Sequence, residues 1–198
     1  ASSGASANVP RVLFVSHVST VGGAETSLLE LLKALDRTAC APILAAPARL
    51  GDRGIVMTDS PDPLCVAADL FAMQDYVVVA TTEPALFDEI LDKVARWVYP
   101  RAERIAYACP GLLWRICGPE YATEPYLPPE RFAEYVVRYT GPLVERIQKQ
   151  GGRVRLHCHG RLRNVLPMIA DMGVDATDPV EPPPQGDVEL EEVRRDYG

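Results

Sequence analysis

Gly152-Arg-Val-Arg-Leu-His-Cys-His-Gly160, followed by Asn164-Val-Leu-Pro-Met-Ile-Ala-Asp-Met-Gly-Val-Asp-Ala-Thr-Asp178, is the stretch that decides the fold. A short alternating apolar run ends in two histidines and a glycine, an amphipathic segment follows, and a second short apolar run closes the unit. The pattern predicts a strand over 153–158, a helix over 164–172 and a strand over 174–178. Strands joined through a helix lie parallel, with a right-handed crossover.

The same alternation extends in both directions. Leu113 to Cys117 reads as a strand. Pro128-Pro129 starts a helix with Phe132, Val136, Tyr139, Leu143 and Ile147 inward; Gly151-Gly152 stops it, and Pro142 costs it a hydrogen bond. Further upstream, Gly54 to Thr58 reads as a strand. Asp62-Pro63 opens a helix through Leu64 to Met73, and Glu83-Pro84 opens a longer one through about Cys109. Leu86, Ile90, Val94 and Trp97 form its expected apolar stripe, with a bend at Pro100. A last helix is expected from Val188 to Arg195, capped by Asp187.

At the amino end, Val12 to Ser16 reads as a strand and Ala24 to Leu35 as a helix, with Pro42 to Ala46 a further strand. Residues 1–10 read as a disordered lead or tag, and 11–198 as a single α/β domain. The expected fold is α/β: a mainly parallel sheet of about six strands with helices. It is either an open doubly wound sheet or a partial (β/α) barrel completed by dimerisation, which would hide its unpaired edges.

Composition narrows the function classes. Net charge is −7 with a pI near 5.0, which argues against a nucleic-acid surface. No stretch has the length and apolarity of a membrane span, so no membrane partner is expected. The five cysteines include no C-x-x-C pair, which favours a reducing, cytoplasmic setting. Cys65, Cys109 and Cys117 read as small buried hydrophobes, since no histidine accompanies them locally.

His157 and His159 flank Cys158 at a strand's carboxyl end. Alternation puts both imidazoles on one side, a spacing suited to a divalent metal such as zinc, with Glu181 as a further contact. The competing reading is two polar strand-end residues hydrogen-bonded to neighbours. Glu120, Tyr121 and Tyr126 crowd the loop after the 113–117 strand as a polar cluster. Gly22 and Gly23 precede a helix and, with Glu25, mark a candidate phosphate or cofactor loop. His17 lies beside it and, read alone, is a plain loop residue.

Two resemblances follow from these motifs. Arg11-Val-Leu-Phe-Val-Ser-His-Val-Ser-Thr-Val-Gly-Gly-Ala-Glu25 resembles the amino-terminal βαβ unit of GT-B glycosyltransferases, over about residues 11–50. This resemblance implies an anion donor at His17, against the competing reading of a plain loop residue. Residues of about 54–198 resemble a truncated barrel of the uroporphyrinogen decarboxylase superfamily, which includes cobalamin-dependent methyltransferases. The residues that carry this are Leu113-Trp-Arg-Ile-Cys-Gly-Pro-Glu-Tyr-Ala-Thr-Glu-Pro-Tyr126, 152–160 and 165–187. The second resemblance implies a (β/α)8 barrel and, in the methyltransferase branch, a zinc bound by an H-x-C pair. Here the pair is H-x-H, with His159 in place of the cysteine. It also implies that Glu120, Tyr121 and Tyr126 line the substrate pocket. The arginine-rich motif and early-strand aspartate of the decarboxylases are not found before Gly54.

Taken together, the sequence reads as a chimeric or engineered α/β protein without established catalysis, self-associating as a homodimer. One alternative is a metal-binding, decarboxylase- or methyltransferase-like enzyme using the His157-x-His159 loop. The other is a phosphate or nucleotide-sugar binder at Gly22-Gly23.

Overall fold

The computed structural model describes residues 55–197. Four strands, β1 (Met57–Pro61), β2 (Leu113–Cys117), β3 (Arg153–His157) and β4 (Ala176–Asp178), form one sheet in the order β1-β2-β3-β4. Every pairing is parallel, and Pro61, Cys117, His157 and Asp178 share one row at the carboxyl edge. Two further expected strands, Val12 to Ser16 and Pro42 to Ala46, lie outside the described residues. So do Gly22, Gly23, Glu25 and His17.

The connections are α1 (Pro63–Ala68), α2 (Met73–Thr82) and α3 (Pro84–Ala108) between β1 and β2. Between β2 and β3 run a 3-10 turn (Pro119–Ala122), α4 (Pro129–Phe132), a π-helical segment (Ala133–Val137) and α5 (Arg138–Gln148). Then come α6 (Leu166–Asp171) before β4 and α7 (Leu190–Tyr197) after it. The expected helix from Leu64 to Met73 divides into two, because α1 ends at Ala68 and α2 starts afresh at Met73. Asp62 caps α1 as its position before Pro63 suggests, accepting the Cys65 N–H at 2.7 Å.

Burial alternates along the central strands. Trp114, Ile116, Val154 and Leu156 are fully buried, while Arg115, Cys117, Arg155 and His157 are only half-buried. One face therefore carries the apolar core under the helices, and the other carries charge. A doubly wound sheet would bury both faces under helices and give near-continuous apolar strands. Among the described residues, a one-sided helical jacket over a polar inner face fits the barrel-like alternative instead.

The helix stripes follow the same logic. On α5 and its approach, Phe132, Val136, Tyr139, Leu143 and Ile147 are all buried, as their spacing predicts. The π-helical segment falls just before Pro142, where the missing proline N–H already disturbs the ladder. On α3 the stripe is rotated from the expected one: Phe87, Leu91, Ala95, Val98, Ala102 and Ala106 are buried, while Leu86 and Trp97 are about half exposed. Three alanines at this contact let α3 approach closely, which side-chain size alone does not suggest. Pro100 is accommodated within a single helix. Aromatic packing ties the jacket together: Phe87 meets Tyr135 edge-on at 4.9 Å, and the Tyr135 hydroxyl donates to the Ala80 carbonyl at 2.8 Å.

Candidate functional site

The parallel ladder brings four strand ends to one edge, and two glycines let the loops leave it. Gly118, after β2, has φ +124°, and a Cβ there would lie 2.3 Å from Asp62 Oδ1. Gly160, after the histidines, has φ +102°, and a Cβ there would lie 2.5 Å from Thr123 Oγ1. Neither position accepts a side chain without displacing the rim. The loops are also pinned to each other. Thr123 Oγ1 stands 2.8 Å from the Glu120 carbonyl and 3.0 Å from the His159 carbonyl, and Asn164 Nδ2 donates to Glu124 at 3.1 Å.

His157 and His159 share a side as alternation requires, with ring centroids 4.7 Å apart and planes nearly perpendicular. Cys158 between them points into the core and is fully buried. Each imidazole has its own carboxylate. His157 Nδ1 lies 3.1 Å from Asp178 Oδ2, and His159 Nδ1 lies 3.2 Å from Glu181 Oε1. At these distances an Nδ1–H donates to the carboxylate, which leaves Nε2 as the lone-pair nitrogen of both rings.

The second Glu181 oxygen accepts the Gly160 N–H at 3.1 Å. That backbone donor, with the imidazole of His159 beside it, holds the Glu181 carboxyl below the usual carboxylate range. Both oxygens are thus engaged, so Glu181 is placed to anchor His159 and the loop rather than to face a ligand. Among the described residues, no three His, Cys, Asp or Glu side chains gather as a metal-holding group. Two oriented imidazole donors are what this part of the chain offers a zinc ion. The donor type fits, and the carboxylate behind each ring is the usual arrangement behind a metal-bound histidine.

Below the histidines the inner face carries charges that motif reading overlooked. Arg115 holds Asp59 through Nε at 2.9 Å and Nη2 at 3.2 Å. Arg155 Nε lies 2.8 Å from Asp178 Oδ1, so Asp178 stands between an arginine and His157. A sequence signal did exist. Charge at alternate positions of Met57-Thr-Asp-Ser-Pro61, Leu113-Trp-Arg-Ile-Cys117 and Arg153-Val-Arg-Leu-His157 marks one polar face.

Of the other candidates, Glu120 turns back on its own loop, accepting the Gly118 N–H at 2.9 Å. Tyr121 packs edge-on to Tyr76 at 5.8 Å, its carbonyl accepting the Tyr76 hydroxyl, and Tyr126 is exposed at the rim. Asp187, expected as a helix cap, instead accepts the Arg163 N–H at 3.1 Å, three residues before the α7 start at Leu190. Asp62, read from sequence only as a helix opener, is fully buried and accepts the Thr140 hydroxyl at 2.8 Å. Burial pushes its carboxyl up to about 7, against the Cys65 N–H and the Thr140 hydroxyl.

A parallel α/β sheet with its polar groups collected at the carboxyl edge and, among the described residues, its helices on one face is the architecture of part of a (β/α) barrel. The model of the family described as uroporphyrinogen decarboxylase (URO-D) matches residues 42–181. That is more than half of the chain, which belongs to this family. A methyltransferase from Methanosarcina mazei has a similar solved structure, with a TM-score of 0.55 and 15% identity over 68% of this chain and 39% of that one. The chain thus spans well under half the length of that methyltransferase, and the likeness concerns the fold. No curated protein matches. The family match starts at residue 42, inside the stretch read as glycosyltransferase-like, and the comparisons lend the chimeric reading no support. Among the described residues no helix is long and apolar enough to cross a membrane.

Proposed function

We propose that this chain is an enzyme of the decarboxylase/methyltransferase kind, working at the carboxyl edge of the sheet with His157 and His159 as paired ligands for zinc. The observation that carries the proposal is the separate carboxylate behind each imidazole, Asp178 at 3.1 Å and Glu181 at 3.2 Å. Fixing Nδ1–H in both rings fixes the tautomer and makes each Nε2 a better donor. When bound, zinc would act as a Lewis acid that lowers the pKa of a thiol or water. The chain's own part is positional. Asp178 orients His157 while paired with Arg155, and Glu181 orients His159 while clasping Gly160 N–H.

Calorimetric titration of the full chain with zinc tests this. One equivalent should bind to the wild type, His157→Ala should abolish binding, and His159→Cys, which restores the H-x-C pair of the resembling methyltransferases, should retain it. Absence of stoichiometric zinc, or equal binding by a His157→Ala/His159→Ala variant, would overturn the proposal.

A second, metal-free decarboxylase reading is favoured by one observation. The Asp59–Arg115 pair is only half-buried on the inner face, where an acidic substrate could meet it. Loss of decarboxylation in Asp59→Asn with zinc binding intact would favour that reading. A single domain over 11–198, dimerisation and a cytoplasmic setting belong to the same proposal, and light scattering tests the dimer.

A further inference from the structure

The buried stripe of α3, from Phe87 to Ala106, has an exposed counterpart on the opposite side of the helix. Leu86, Trp97 and Tyr107 are 50%, 52% and 79% exposed, and separations of about three turns put them on one line. Single apolar residues on a surface need no explanation, but three large ones along about 30 Å of one helix form a seam. Charge along that seam is graded. Glu89 stands in the amino-terminal half with Lys93 beside it at 3.7 Å, both side chains about 70% exposed. Arg96 and Arg104 stand in the carboxyl-terminal half, also exposed. The neighbouring carboxylates are taken, Glu103 by Arg146 and Glu145 by Lys149, each at 2.8 Å, so among the described residues Arg96 and Arg104 have no acidic partner. Trp97, Arg104 and Tyr107 also wall an open groove of about 840 Å³ between α3 and α5.

We infer that α3 is a self-docking helix, through which two copies of this chain pair antiparallel about a two-fold axis passing between Arg96 and Trp97. The occupant is a second copy because the seam complements its own reversal. Turned end over end about that point, Glu89 falls on Arg104, Leu86 on Tyr107, Lys93 on Pro100 and Arg96 on Trp97, and the two-fold makes each contact twice. These are an ion pair, an apolar pair, a lysine stem against a proline ring and a cation over an indole. A parallel pairing would instead set Glu89 on Glu89 and Arg104 on Arg104, which like charges oppose. A seam one helix wide sits at the small end of specific interfaces, below about 1,200 Å², so the dimer should be reversible with Kd on the order of micromolar. It lies on the outer jacket, opposite the polar face that carries His157. It requires the dimerisation proposed above and gives it a surface other than the unpaired sheet edges.

Light scattering and sedimentation velocity of the full chain, at concentrations from below to above micromolar, test this. The wild type should pass reversibly from monomer to dimer. Glu89→Arg or Arg104→Glu alone sets like charges together twice per dimer and should raise Kd about tenfold or more. The double exchange Glu89→Arg/Arg104→Glu should restore pairing, and Trp97→Ala should weaken it by a similar factor. All three positions are exposed, so the circular dichroism spectrum should not change. A monomer at every concentration would overturn both this surface and the dimerisation proposed above. A dimer indifferent to Arg104→Glu and Trp97→Ala would overturn the α3 surface alone and return the dimer to the sheet edges. Weakening by both single exchanges without rescue by the double would overturn the antiparallel register.

Discussion

The two faces of the sheet obey different rules. On the helix side, Trp114, Ile116, Val154 and Leu156 vanish into a core shared with Phe87, Tyr135 and Leu143. On the other side, Asp59, Arg115, Arg155 and His157 stay partly exposed: each arginine is paired with a carboxylate, and the His157 ring is hydrogen-bonded to Asp178. The first face holds the fold and the second presents chemistry. The difference teaches that stability and reactivity are divided by strand alternation, residue by residue, and not by separate regions of the chain.

The division can be broken most severely on the apolar side. Trp114→Ala should cost about 3–5 kcal/mol, the range for emptying a packed aromatic site, read as a lower urea midpoint. Trp114→Phe should cost far less, since among the described residues the Trp114 indole N–H has no partner and its removal relieves a buried orphan.

Next in size is the junction between the faces. Asp62→Ala leaves the Thr140 hydroxyl and the Cys65 N–H without their acceptor and should cost about 1–3 kcal/mol. Its carboxyl also gives a pH test. With the folded value raised to about 7 from an ordinary 3.8, the folded state holds the proton more tightly. Its contribution to stability is full below the ordinary value and is lost as pH rises through about 7. Asp62→Asn should flatten this part of the profile in denaturation curves taken from pH 4 to 8. An unchanged slope would show that Asp62 is not the group responsible.

On the polar side the effects should move from stability to binding. Glu181→Gln keeps the shape but weakens the hold on His159. It should lower zinc affinity about tenfold or more while shifting the unfolding midpoint little. Smallest of all, Arg115→Met should change stability by no more than about 1 kcal/mol, because the ion pair with Asp59 is about one-third exposed. A large loss there would mean that the inner face is also structural, and the comparison would fail.

How much of this was legible in the sequence follows the same line. The β2, β3 and α5 assignments rest on apolar periodicity, and burial reproduces them at Trp114, Leu156 and Leu143. The α3 stripe was misread by one position because large residues outweighed Ala95, Ala102 and Ala106, whose small size is what lets the helix sit close. The side shared by His157 and His159 was readable from spacing. Their carboxylates were not: Glu181 was in view, but that it would reach His159 and leave His157 to Asp178 depends on how β4 and its loop pair with β3. Asp62 was hidden for a related reason. Its partner Thr140 is 78 positions away, and no local pattern announces a bond of that span.

That bond has a reach of its own. Thr140 belongs to the outer layer, yet its hydroxyl ends at the carboxyl that caps α1, beside the glycine whose backbone presses on Cys65. A quiet exchange such as Thr140→Val, invisible to any inspection of the histidines, would loosen a corner of the rim from behind.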